Sequence, residues 1–210
     1  MIPAKADPQQ QKEFLEQEIQ PRLDEAKAGK RVVLFGDAAH FVLAPFLGFL
    51  WSVVRVFIQA PSGRQRFNVL GALNAITHEI ITVTNDTYIT AQSVCELLEK
   101  IAALYVGIPI TIFLDNARYQ KCALVKETAQ RLKIELCFLP SYSPNLNLIE
   151  RVWKFVKKKC LYSKYYEKFP EFKEAISQCL LQTQTTHKSD LASLLSLRFQ
   201  LFEKAQFVTV

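Results

Sequence analysis

Two short runs, Val32-Val33-Leu34-Phe35 and Ile110-Thr111-Ile112-Phe113-Leu114, constrain the fold of this chain more than any other feature. Each is nearly free of polar residues and short enough to be a strand buried on both faces. Such a strand needs a layer above and a layer below, so the rest of the chain must supply helices on both sides of a sheet. Both runs also lead straight to an acid, Asp37 after Gly36 and Asp115 after Leu114.

The remaining pattern fits that frame. Residues 1–10 read as a tail or linker, and 11–28 as one helix, interrupted by Pro21 and ended by Gly29. The first strand spans 31–36, so Asp37 is expected just past its end. Strands at 53–59 and 66–74 flank the turn Pro61-Ser62-Gly63, and 78–84 makes a further strand. Val94, Leu97, Leu98, Ile101 and Leu104 recur at helical spacing, predicting a helix over 90–105 capped by Thr87 or Thr90 and closed by Gly107. Strand 110–114, helix 119–132, strand 134–139, helix 148–159 and helix 170–182 follow, while 194–210 has no clear assignment. Strands grouped early and alternating with helices later predict an α/β chain with a mixed sheet, an antiparallel meander continued by crossover units.

Composition narrows the class. The 210 residues are half hydrophobic, enough for a substantial core, and 26 Lys+Arg against 20 Asp+Glu leave a net charge of +6. A modest basic excess is compatible with a polyanionic partner without requiring one. Cys95, Cys122, Cys137, Cys160 and Cys179 are odd in number and contain no Cys-x-x-Cys pair, so free thiols in a reducing cytoplasm are expected. The polar first twenty residues do not make a signal peptide, and 41–58 is interrupted by Pro45 and Arg55, so no membrane association is expected.

The second informative segment is Leu139-Pro140-Ser141-Tyr142-Ser143-Pro144-Asn145-Leu146-Asn147-Leu148-Ile149-Glu150, which reads as a strand end, a rigid turn and a helix start. Asn147 is a candidate N-cap, with Glu150 three residues on completing a capping-box-like pair. Ile149, Val152, Trp153 and Val156 form the buried stripe of that helix, while Glu150, Lys154 and Lys157 share another face. Alone, Asp37 or Asp115 is most simply a turn residue. Together with Glu150 they make three oxygen ligands, and carboxylates gathered at one point repel each other unless a cation holds them. Mg2+ or Mn2+ accepts such ligands and keeps water and substrate phosphates as the others. The residues therefore permit two-metal phosphodiester cleavage.

On Asp115-Asn116-Ala117, the Leu139–Glu150 segment, Trp153 and Lys157, the chain closely resembles the catalytic domain of bacterial insertion-sequence transposases of the mariner-like group, within the DDE superfamily. The likeness runs over about 30–166 and more loosely to Phe202, and the 34 residues between Asp115 and Glu150 (116 to 149) match the spacing of that group. The resemblance implies a ribonuclease H-like fold with a mixed five-stranded sheet flanked by helices. It divides the chain into a linker and helix (1–29), a catalytic domain (30–166) and a C-terminal helical extension (167–210). It also implies Asp37, Asp115 and Glu150 as a catalytic, metal-binding triad for two Mg2+ or Mn2+ ions. The activity implied is cleavage at transposon ends and transfer of the 3′-hydroxyl to target double-stranded DNA, often at TA dinucleotides, by an enzyme that pairs two ends as a homodimer in the cytoplasm, on the nucleoid. Lys154, Lys157 and Lys158 are candidate DNA contacts, and His40 and Asn116 candidate supports of the triad, although a packed or hydrogen-bonded His40 is the plainer reading. The chain departs from many relatives at Ala38, Gln120 and Leu148, which stand where those carry Glu, His and Pro.

Relatives also carry an N-terminal helix-turn-helix region, and nothing upstream of Lys30 is long enough to be one. Weak DNA binding with little end specificity is therefore expected, from a split-frame product, a fragment or a degraded copy. The alternative readings are a non-catalytic remnant that binds DNA or full-length transposase and interferes with transposition, or a general ribonuclease H-like nuclease.

Overall fold

Strand β1 (Val32–Val42) is the spine of the sheet, whose order is β3-β2-β1-β4-β5. It pairs antiparallel with β2 (Arg66–Asn74) and parallel with β4 (Ile110–Leu114). Outside these, β3 (Ile80–Asn85) lies antiparallel on β2 and β5 (Ile134–Phe138) parallel on β4. The computed structural model describes residues 6–43 and 65–201 together with Val53 and Phe57. The expected strand at 53–59, apart from those two residues, and the turn at 61–63 lie outside the described residues, as does the chain after Leu201.

β1 is longer than its apolar run suggests. β2 matches it residue for residue from Leu34↔Asn74 to Val42↔Arg66, whereas β4 accompanies only Val32 to Phe35. Asp37 therefore lies inside the strand, opposite Gly71, and not past its end. The partner strand carries the extension, and local hydrophobicity does not record it.

Alternation along β1 separates two cores. Val33 and Phe35 join the cluster under the N-terminal helix, α5 (Ile149–Cys160) and α6 (Phe169–Gln182). Val32 and Leu34 join the cluster under α3 (Ala91–Leu104) and α4 (Ala123–Arg131). Thr90, not Thr87, caps α3, sharing a reciprocal capping box with Ser93. Helix α4 is shorter than expected because 118–120 form a 3-10 turn. His78 adopts a left-handed φ of 61°, so β3 begins only at Ile80. One further short helix, α7 (Lys188–Leu194), had no bounds of its own in the sequence pattern.

The N-terminal helix starts earlier than residue 11 because Asp7 caps α1 (Pro8–Phe14) through the Gln9 and Gln10 N–H groups. A π turn, Leu15–Ile19, joins it to α2 (Gln20–Lys27). Pro21 lacks an N–H and crowds the carbonyl four residues back, and the wider turn sits where that mismatch falls. Arg22 of α2 is bound to Glu135 of β5 at 2.6 Å, and Arg31 and Thr111 bind the same carboxylate at 2.8 and 2.6 Å. Led by the Arg22 hydrogen bond, this cluster holds the Glu135 carboxyl down at about 2. All five cysteines are free thiols, with Cys160 and Cys179 buried. No described helix is long and apolar enough to cross a membrane.

Candidate active site

Register alone brings the first two acids together. Phe35 pairs with Phe113, and their rings stack at 5.2 Å. Two residues further along each chain stand Asp37 and Asp115, which the two-residue period puts on the same side as those rings. Helix α5 covers that side, with Ile149, Val152, Trp153 and Val156 all in the Phe35–Phe113 cluster, so the expected buried stripe is present. Its first turn then carries Glu150 to the same place. Asp37, Asp115 and Glu150, each half-buried, line one cleft of about 380 Å³ with Asn116, Tyr142 and Asn147.

The electrostatics of the cleft follow from this crowding. Burial foremost, then the Glu150 charge, push the Asp37 carboxyl up to about 7, with Asp115 adding to the effect. The N–H of Ala38 and the indole of Trp153 oppose the rise, the indole Nε1 donating to Asp37 Oδ2 at 3.1 Å. Tyr119 is pushed up to about 12 by burial and by the charges of Asp115 and Asp37.

Asp115 is both a turn residue and a cleft residue. Its Oδ1 accepts the Ala117 N–H at 3.2 Å, while Asn116 Nδ2 donates to the Leu139 carbonyl at 2.5 Å and ties the ends of β4 and β5 together. Asn147 is not the cap expected of it. Leu148 occupies the N-cap position without a side-chain bond, and Asn147 Nδ2 donates instead to the Gly36 carbonyl at 3.2 Å. A buried amide must find an acceptor, and β1 offers it one. The Glu150 carboxylate is thus left to the cleft, although its backbone N–H still bonds to the Asn147 carbonyl.

The donor set suits hard divalent cations, since it is all oxygen and the Glu150 and Asp115 charges raise the proton affinity of Asp37. Asn147 Oδ1 adds a buried acceptor with no protein partner in the wall of the same cleft. Among the described residues, however, no three His, Cys, Asp or Glu side chains close on a single metal-sized point.

The other candidates separate. Lys154 and Lys158 are exposed and line a groove of about 650 Å³ between α5 and α7, together with Arg151 and Lys159. Lys159 is paired with Asp190 at 2.8 Å, and Arg151 donates to the carbonyls of Leu194, Ser196 and Arg198. Lys157 is half-buried and is not part of the groove wall. His40, three residues from Asp37, falls on the opposite side of β1 and bonds through Nδ1 to Asn68 Oδ1 at 2.6 Å, so the structure does not bring it to the acids.

Sequence reasoning missed how the segment before Glu150 is gripped. Gln11 of α1 is fully buried, and its Oε1 accepts from Asn145 Nδ2 at 2.9 Å; the same Nδ2 reaches the Gln200 carbonyl at 2.8 Å. The first residue of the expected N-terminal helix and an unassigned end thus clasp the turn between β5 and α5. A glutamine among the polar 1–20 residues gives no local signal of that burial.

The model of one family, DDE superfamily endonuclease, matches residues 32–173, and the chain belongs to that family. Among solved structures, the Mos1 strand transfer complex superposes with a TM-score of 0.60 at 13% identity, over 97% of this chain and 65% of that one. A Mos1 mariner paired end complex with Mn gives 0.58 at 13% identity, over 97% and 66%. A simian T-cell lymphotropic virus intasome gives 0.52 at 16% identity, over 85% and 59%. These likenesses establish the ribonuclease H-like fold, and the chain spans just under two thirds of the Mos1 chains. No curated protein sequence matches it.

Proposed function

We propose that this chain is the catalytic domain of a DNA transposase, with Asp37, Asp115 and Glu150 as ligands for Mg2+ or Mn2+. The observation that carries the reading is the meeting of three carboxylates from β1, the end of β4 and the first turn of α5 in one cleft. Held there, such ions would supply activation of the attacking water or hydroxyl and stabilisation of the leaving oxygen in an in-line displacement. The protein's own part is to hold the acids rigidly, through the β1–β2 ladder for Asp37, the Ala117 turn for Asp115 and the clasped turn before α5 for Glu150. Lys154 and Lys158, without an ion pair among the described residues, lie along the groove that runs from the same helix and are suited to a phosphate backbone. In this reading the DNA is a transposon end, cut so that its 3′-hydroxyl can be joined to target DNA, with a second copy of the chain serving the other end.

The test is nicking of supercoiled plasmid by the purified chain in Mn2+. Nicked circles should accumulate, stop on chelation and be absent in Mn2+-free buffer. Nicking that survives EDTA refutes the metal-dependent reading. In the Lys154→Glu/Lys158→Glu variant, duplex binding should weaken at all sequences and its log–log salt slope should drop by roughly 1.8, about 0.9 per lost phosphate contact. An unchanged slope removes these lysines from the DNA interface.

A further inference from the structure

We propose that Trp153 is a positioning residue for Asp37, seated in a notch that Gly71 leaves in β2, so that α5 sets two of the three acids rather than one. The inference rests on the metal-site reading above and names a residue that the buried stripe of α5 would otherwise absorb.

Three observations carry it. First, Trp153 is only 2% exposed, and the single donor of its indole is spent on Asp37 Oδ2 at 3.1 Å. Second, Gly71 is the residue paired with Asp37 across the β1–β2 ladder. A Cβ added there would stand 2.8 Å from Trp153 Cη2, closer than packed atoms approach, and 3.0 and 3.1 Å from Ile149 Cδ1 and Trp153 Cζ2. The indole therefore rests against bare backbone beside the very residue its N–H serves. Third, Phe41, further along β1, meets the indole edge-on at 6.4 Å and 82°, so β1 and β2 both fix the ring.

Trp153 lies three residues after Glu150, one helical turn along α5. Docking of that turn thus delivers Glu150 directly and Asp37 through the indole. The torsion that turns a carboxylate about its Cβ–Cγ bond is broad, so an aspartate held only by its backbone can present either oxygen at many angles. With Oδ2 engaged by the indole, the carboxylate is held in one orientation, in which it would meet a cation. Groups that orient a metal ligand from behind are worth about ten- to a hundredfold in metal affinity.

The chain contains two tryptophans, so the full-length protein gives two indole N–H signals in a 15N-correlated NMR spectrum, and Trp153→Phe assigns one of them. In a Mg2+ titration of the wild type, the Trp153 signal should move and saturate at the midpoint that calorimetry gives for Mg2+ binding. Trp153→Phe should weaken Mg2+ binding about ten- to a hundredfold. Gly71→Ala, which keeps both indoles but displaces one, should weaken it about tenfold and shift the Trp153 signal before any metal is added. Should Trp153→Phe fail to fold, the wild-type titration and Gly71→Ala decide the matter. If Asp115→Asn loses Mg2+ binding while the Trp153 signal stays still through the wild-type titration and Gly71→Ala binds normally, the metal site stands and the positioning role is overturned. If Asp115→Asn binds Mg2+ as the wild type does, the metal-site reading itself fails and takes this role with it.

Discussion

Asp115→Asn should reduce Mn2+-dependent plasmid nicking roughly a thousandfold, to background, while leaving the fold intact. The size follows from what the carboxylate would supply. A bound ion stabilises transition-state charge by several kcal/mol, and each ~1.4 kcal/mol is a factor of ten in rate. Asn keeps the oxygen that accepts the Ala117 N–H, so the turn after β4 survives and the loss falls on the charge. The core beneath it, Phe35 stacked on Phe113, is untouched. Gel quantitation of nicked product, alongside a thermal melt of the same preparation, checks both halves of the expectation. Wild-type nicking in a well-folded Asp115→Asn protein removes this residue from the catalytic set.

Asp37→Asn should have the second large effect, and in the opposite direction for stability. Burial and the neighbouring acids raise the Asp37 carboxyl to about 7 in the folded protein. Between its ordinary value and 7, the folded chain keeps a proton that the unfolded chain has already released. Stability from this group is thus full below about pH 4, falls as pH rises through 7, and is level above it. Roughly three pH units at ~1.4 kcal/mol each put the cost near 4 kcal/mol, an upper figure. Asn carries no charge at any pH. In EDTA, the stability difference between Asp37→Asn and wild type should therefore be small at pH 4.5 and favour the variant by a few kcal/mol at pH 8. Added Mg2+ should recover the wild type and not the variant, because ligand binding to the folded state stabilises it by mass action. Urea unfolding at the two pH values, with and without Mg2+, measures this directly. A wild type as stable as the variant at pH 8 in EDTA would mean that the acids do not strain one another. The same substitution should abolish nicking, so a site that costs stability is kept for what it does.

What could be read from the residues was what is written locally. Two apolar runs ending in acids gave the two central parallel strands, and the spacing of Ile149, Val152, Trp153 and Val156 gave the covering helix and therefore the cleft. Features decided by a distant partner were not legible. The continuation of β1 from Asp37 to Val42 depends on β2, whose partners there run from Gly71 to Arg66. Asn147 carried the signature of a cap but answers to the Gly36 carbonyl, 111 residues away in sequence. Gln11, at the start of the expected helix, gave no sign of its burial because its partner, Asn145, lies 134 residues on. Trp153 was correctly placed in the core by periodicity, which is silent about where an indole N–H points. Local pattern thus found the acids, and tertiary pairing supplied what holds them.

The most direct test of the account is anomalous diffraction from crystals of the wild-type chain soaked in Mn2+. Mn2+ peaks are expected within the cleft, in contact with Asp37, Asp115 and Glu150. No Mn2+ peak at Asp37, Asp115 or Glu150 under conditions in which the same protein nicks DNA would contradict it.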